Sequence, residues 1–166
     1  MSIPKPILKH LDGEKVKYEI VAHRRVFTAY DKAATLHVEP KAVVKTAVFQ
    51  IGAKEHAIVL VSAAKHIDVK KVKIAVNVWL RKQSKKPEKR VDFASEQWMK
   101  KNVPGDVGAT APIPALYRIP AFVDNALFKQ PKLYLNAGSY EHSFLVSQAN
   151  FKKILGEDFV KGGFAK

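Results

Sequence analysis

Apolar and polar positions follow two different rhythms along this chain, and the rhythm changes every ten residues or so. Residues 4–11 predict a short opening helix, and residues 17–23 read as a strand. Thr28 with Asp31 three residues later fits a capping box and predicts a short helix through about Leu36. Residues 43–51 and 56–62 are β-rich runs separated by Gly52-Ala53-Lys54-Glu55, a hairpin signal. Asp68 can cap a stretch to about Leu80, where Val69, Val72, Ala75, Val76, Trp79 and Leu80 recur at helical spacing. The β-branched content of that stretch leaves a strand open as the alternative. Residues 81–90 (RKQSKKPEKR) form a basic connection, 91–94 a short strand, and Ser95 can cap a helix to about Asn102. A Pro/Gly-rich loop follows at 103–114, then strands at 119–123, 132–137 and 143–147, with Ser147 starting a closing helix. Short helices interleaved with strands of mixed spacing predict an α+β fold. The expected architecture is one domain over residues 1–166, a mixed, curved, barrel-like sheet flanked by short helices.

Charge adds a partner class to this picture. The 166 residues hold 29 Lys and Arg against 15 Asp and Glu, a net charge of +14. A surplus of that size on a small body attracts polyanions; the alternative is a solvated, lysine-rich surface. Cysteine is absent, which excludes a thiolate nucleophile, a disulfide framework and a Cys-based zinc site. The opening residues are charged and broken by Pro4 and Pro6, unlike a signal peptide. No apolar run approaches the ~20 residues that span a bilayer. A cytoplasmic protein without membrane contact is expected.

Three places could carry chemistry. On a strand, Lys45 shares a face with Val43, Ala47 and Phe49. A lysine among apolar neighbours loses hydration, which favours its neutral form and makes it a candidate functional amine; the alternative is a side chain that snorkels to a sheet edge. His142 shares a face with Phe144 and Val146, as a site histidine or as a hydrogen-bonded core residue. The loop Gly105-Asp106-Val107-Gly108-Ala109-Thr110-Ala111-Pro112 has two glycines that let backbone approach a ligand, and its N–H groups could hold an oxyanion; most such loops are only turns. The six histidines (His10, His23, His37, His56, His66 and His142) show no metal-ligand spacing, so neither metal nor cofactor is expected. A Ser139/His142/Asp124 triad can be written down, but nothing resembles a nucleophile elbow.

Five stretches, in order, carry a family resemblance: His23-Arg24-Arg25-Val26-Phe27-Thr28 with Ala33-Ala34, Lys45-Thr46-Ala47-Val48-Phe49, Gly108-Ala109-Thr110-Ala111-Pro112, Ile119-Pro120-Ala121-Phe122-Val123-Asp124, and residues 134–142 (YLNAGSYEH). Together they resemble the YbaK-type family of aminoacyl-tRNA deacylases, which includes the editing domain inserted in bacterial prolyl-tRNA synthetases and its free-standing relatives. The resemblance implies metal-free hydrolysis of the ester between a small amino acid and the terminal adenosine of tRNA, with a substrate hydroxyl assisting the attacking water. It implies that Lys45 orients the terminal nucleotide or the carbonyl, and that Gly108 and neighbouring N–H groups hold the carbonyl oxygen. His142 would shape a pocket that also includes His23, Thr46, Ala109, Thr110, Ala111, Pro112, Gly138 and Ser139. Two departures stand out. Arg24 and Arg25 replace the prolines common after the opening histidine, which suggests extra contact with the acceptor end. Ile113-Pro114 replaces an aromatic-glycine pair, which leaves the pocket's shape and the amino acid open.

Editing of this kind has a physical logic. A binding site separates amino acids differing by one methylene by only ~1–3 kcal/mol, so a second pocket hydrolyses the smaller ones. Phosphates supply most of the affinity for the tRNA. Arg24, Arg25, Lys65, Lys70 and Lys71 are the candidate contacts, and residues 81–90 are either a further contact or a solvated loop. The expectation is a deacylase acting in trans, with alanine on tRNA(Pro) the first candidate and cysteine or serine esters as alternatives; a synthetase is a possible partner. The other reading is a non-catalytic, basic tRNA-binding module accessory to a synthetase.

Overall fold

Val72, Val76 and Leu80 stand four residues apart and all are buried, a single apolar stripe that makes residues 69–82 a helix rather than a strand. Asp68 starts this helix by accepting from the Lys70 and Lys71 N–H groups, donors that the first turn leaves open. The structure is a computed structural model that describes residues 2–166. Its helices are α1 (Lys5–Gly13), α2 (Ala29–Leu36), α3 (Val69–Lys82), α4 (Glu96–Asn102), α5 (Pro114–Tyr117) and α6 (Gln148–Leu155). Its strands are β1 (Glu19–Ala22), β2 (Val44–Ile51), β3 (Glu55–Ser62), β4 (Val91–Phe93), β5 (Ala121–Asp124), β6 (Lys132–Asn136), β7 (His142–Ser147) and β8 (Val160–Gly162).

The fold is α+β, and its strands divide into two sheets that do not close into a barrel. One is antiparallel with order β1-β7-β6; the other is mixed, with order β4-β2-β3-β5-β8. The division happens along β2. One edge of β2 pairs with β3 over its whole length. Its other edge pairs with β4 only at residues 49–51, while Val43, just ahead of β2, bridges to Tyr134 of β6. Between those contacts the sheets part, and Lys45 and Thr46 lie at the parting.

Strand β3 explains why the larger sheet is buried on both faces. Ile58 and Leu60 enter a core with Ile7, Leu11, Leu133, Leu135, Phe144 and Phe151. The alternate residues Ala57, Val59 and Val61 enter a second core with Phe49, Phe122 and the α3 stripe. Period-two alternation sends one strand into two cores, so its sequence reads as a continuous apolar run.

The short elements α5 and β8 went unanticipated. Pro114 opens α5 at a position that needs no N–H. Strand β8 has three residues, too few to show alternation, and forms only by parallel pairing with β5. No helix among the described residues is long and apolar enough to cross a membrane.

Candidate functional site

A cleft of about 250 Å³ opens where the sheets part, lined by Phe27, Thr28, Ala29, Lys45, Thr46, Gly108 and Asn136. Four separate segments meet there: the entry to α2, the first half of β2, the glycine loop and the end of β6. Lys45 and Gly108, 63 positions apart in sequence, share its wall.

Lys45 is half-buried, and its Nζ donates to the Lys65 carbonyl at 3.0 Å. Burial lowers its pKa below the ordinary lysine value, because a dehydrated ammonium is costly. Ala47 and Phe49, on its strand face, pack toward α3, whereas Val43 joins Ala33 and Ala63 under α2. Lys45 sits at the changeover between these clusters. Thr46 also lines the cleft, and its Oγ1 is buried with no hydrogen-bond partner among the described residues. Buried hydroxyls nearly always have one, so this unsatisfied oxygen marks the cleft wall as a place of unmet polarity.

The glycine loop is held by its neighbour rather than by itself. Asp106 N–H donates to Gly138 O at 3.0 Å, and Gly138 N–H donates to Ala109 O at 2.8 Å. Tyr140 adds its N–H to the Asp106 carboxylate and its hydroxyl to the Val107 carbonyl. Gly105, at φ +98°, comes so close to Gly138 that a Cβ would overlap the Gly138 carbonyl. The Ala109 N–H bonds to Asp106 O at 3.0 Å and is spent inside the turn. Gly108 itself, at φ +91°, keeps an N–H without a partner among the described residues, so it is the loop's available donor at the cleft.

The remaining expected pocket residues stand behind the wall. Ala109, Thr110, Ala111, Pro112, Gly138 and Ser139 are buried and support the loop without lining the cleft. Ser139 Oγ lies 2.9 Å from His142 Nδ1, and His142 is half-buried at the head of β7. The Asp124 carboxylate accepts instead from Phe164 N–H at 2.7 Å and Ala126 N–H at 3.1 Å, so Ser139, His142 and Asp124 do not assemble as a triad. His23 faces an adjoining hollow with Arg24 and His37. Its Nδ1 is 2.8 Å from Arg24 O and its Nε2 is 2.9 Å from Ser143 Oγ. A carbonyl only accepts, so Nδ1 carries the proton and Nε2 accepts from the serine. Burial, opposed by the Arg24 carbonyl and reinforced by the positive charge of Lys32, holds His23 below its ordinary pKa.

The basic residues sort by position. Arg25 lies at the rim, its guanidinium 5.6 Å from the Phe27 ring and 5.2 Å from the Tyr140 ring. Phe27 and Tyr140 meet edge-to-face at 4.8 Å, and Phe27 is 60% exposed, leaving an aromatic-cationic surface beside the opening. Arg24 donates to Thr35 next to His23. Lys65 abuts Lys45 through its carbonyl, and Lys70 and Lys71 begin α3 just beyond. Residues 81–90 pack against the β2–β3 hairpin tip, through Arg90 to Gln50 and Lys85 to Glu55. That is the opposite end of β2 from Lys45, roughly 20 Å away at about 3.3 Å per residue.

Sequence reasoning missed Lys32 and Asn136. Lys32 is 4% exposed and its Nζ donates to Asn136 Oδ1 at 2.6 Å. Desolvation lowers its pKa to about 7. The available signal was helical spacing: Lys32 falls on the α2 stripe of Ala29 and Leu36, which faces the protein. A second groove between α3 and β8, lined by Ile74, Val78, Trp79 and Phe164, holds Lys71 and no other expected residue. Among the described residues, no three His, Asp or Glu side chains form a metal-ligand cluster.

No curated protein sequence matches this chain. Solved structures share its fold along essentially its full length. The hypothetical protein APE2540 superposes with a TM-score of 0.80 at 17% identity, over 98% of this chain and 100% of that one. A protein proposed as a trans-editing enzyme for prolyl tRNA synthetase superposes with a TM-score of 0.72 at 19% identity, over 99% of both chains. A scaffold used for epitope backbone grafting gives 0.75 at 16% identity, over 98% of this chain and 96% of that one. At such identities these likenesses establish the fold alone. Sequence speaks to the family, because the stretch from His23 of the β1 exit to Ile154 of α6 contains every residue of the cleft. That stretch, residues 23–154, matches the sequence model of the aminoacyl-tRNA editing domain, and the chain belongs to that family.

Proposed function

We propose that the protein is a cytoplasmic aminoacyl-tRNA deacylase that acts in trans on a small mischarged amino acid, alanine on tRNA(Pro) first, with cysteine and serine esters as the alternatives. The observation that carries this reading is the meeting of Lys45, the Gly108 N–H and the unpaired Thr46 hydroxyl in one cleft. In this reading the acylated terminal nucleotide enters past Arg25, Phe27 and Tyr140, where a base finds aromatic and cationic surfaces. Lys45 holds the nucleotide or the carbonyl, and Gly108 N–H donates to the carbonyl oxygen as negative charge develops there.

Water then attacks the carbonyl carbon. The C–O bond to the ribose breaks, the ribose oxygen takes a proton, and free amino acid leaves tRNA with its terminal hydroxyl restored. A hydroxyl of the substrate is the group proposed to assist the water. The small wall residues Ala29, Thr46 and Gly108 suit a short side chain and exclude a larger, correct one. In this reading the +14 charge supplies phosphate contacts to the tRNA.

Purified protein with a panel of mischarged tRNAs tests the reading. Lys45→Ala is expected to keep the wild-type melting temperature and to lose deacylation by about 100-fold or more, the usual scale for one polar group acting in the transition state. Full activity in that variant overturns the assignment of Lys45. Tight tRNA binding without turnover on any member would favour the non-catalytic accessory module.

A further inference from the structure

Lys32 is a buried lysine without a carboxylate partner among the described residues. An ammonium has three donors and no acceptor, and the acceptor that the fold supplies is Asn136 Oδ1, at 2.6 Å. Asn136 is itself 5% exposed, yet it lines the cleft. The two residues therefore connect α2, beneath the site, to its wall at the end of β6.

This contact decides which end of the Asn136 amide meets a ligand. A side-chain amide can be turned over with little change in shape, but a charged lysine can only donate. Oδ1 must then face Lys32, which turns the two Nδ2–H donors the other way. Nδ2 has no partner among the described residues.

We propose that Lys32 is a positioning residue that locks the Asn136 amide with its N–H donors aimed into the cleft, where they bind an oxygen of the aminoacyl ester. The proposal rests on the deacylase reading and adds a second donor to that of Gly108, on the side of β6.

The lock depends on the lysine's charge. A neutral amine can accept as well as donate, so loss of the proton frees the amide to present Oδ1 instead, which repels an ester oxygen. Burial brings that change to about pH 7. His23 is the titratable group facing Lys32 from the segment after β1, and His142 faces His23 from β7. Protonation of His23 adds positive charge beside Lys32, which shifts the lysine further toward its neutral form.

A double-mutant cycle on single-turnover deacylation tests the coupling in the full chain. Asn136→Ala is expected to slow the reaction by about 100-fold and Lys32→Met by about tenfold, the scale of a lost donor and of a loosened one. The double variant should be no slower than Asn136→Ala, because Lys32 acts only through the amide. Losses that multiply place the two residues on independent paths and overturn the proposal.

A second measurement needs neither variant nor substrate. In 15N-labelled protein, the Asn136 side-chain amide resonances should move with a midpoint near pH 7 in the wild type and stay fixed in Lys32→Met. Resonances that stay flat in the wild type from about pH 5 to 9 also overturn the lock. Wild-type protein that hydrolyses no member of the tRNA panel overturns the deacylase reading and the ester contact with it. The amide titration then decides the Lys32–Asn136 lock by itself.

Discussion

Replacing Lys32 by methionine removes a charge from a place with no water to hydrate it, while filling much the same volume. Lysine has an ordinary pKa of 10.5, and Lys32 is held at about 7. A difference of three to four pKa units is roughly 5 kcal/mol at about 1.36 kcal/mol per unit. The side chain is almost wholly buried, so solvent screening leaves most of this in place. The sign follows from proton binding. Between about pH 7 and 10.5 the unfolded chain holds a proton on Lys32 that the folded chain has released, so stability rises with pH across that window. Below about pH 7 both states are protonated and the full cost of the buried charge remains. Methionine escapes the cost but leaves Asn136 Oδ1 without its donor, a loss of about 1–3 kcal/mol.

The expected net gain for Lys32→Met is therefore about 2–4 kcal/mol below pH 7, shrinking by about 1.4 kcal/mol per pH unit above it. Urea denaturation of both proteins at several pH values reads this difference directly. A melting temperature raised by roughly 5–15 °C at pH 6 is the simpler check for a chain of this size. A variant less stable than the wild type at pH 6, or a difference that does not change with pH, refutes the description of Lys32 as a buried, unpaired ammonium.

Two further outcomes are expected. Gly105→Ala places a Cβ 2.7 Å from Gly138 Cα at a φ of +98°, so it should destabilise the fold by about 3 kcal/mol or more and slow deacylation, both measurable on one preparation; a wild-type urea midpoint would show that the loop yields easily. Arg25→Ala should weaken tRNA binding, and the slope of log affinity against log salt should fall by about one if Arg25 meets one phosphate. An unchanged slope with weakened binding would assign Arg25 to stacking beside Phe27 and Tyr140 instead.

Much of the architecture was legible because local rules were strong enough to decide it. The Thr28, Asp68, Ser95 and Ser147 side chains all cap the helices that their positions announce, since an N-cap needs only the next few residues. The β2–β3 hairpin was likewise visible from its two apolar runs and the turn between them. Among the cleft residues, Lys45 and Gly108 could be picked out, one as a lysine in an apolar strand and one as glycine in a loop, and the family resemblance added Thr46. His142, equally noticeable, lies behind the wall against Ser139, and the Ala109 N–H is used within its own turn.

Other features depend on contacts between distant segments, whose partners no local pattern fixes. Whether β2 continues one sheet or separates two depends on where β4 and β6 reach its second edge, across more than 40 residues of chain. Helical spacing puts Lys32 on the inward stripe of α2, but only when α2 is laid over β6 does its ammonium meet Asn136, 104 positions away. Sequence by itself determined most of the elements, the basic charge, the family resemblance and three of the cleft's residues, Lys45, Thr46 and Gly108, because propensity, capping and composition act within a few positions. Tertiary structure alone decided where the sheets part, which donors remain free at the cleft and that one lysine is buried beneath it, because burial and hydrogen-bond partners are properties of packed neighbours.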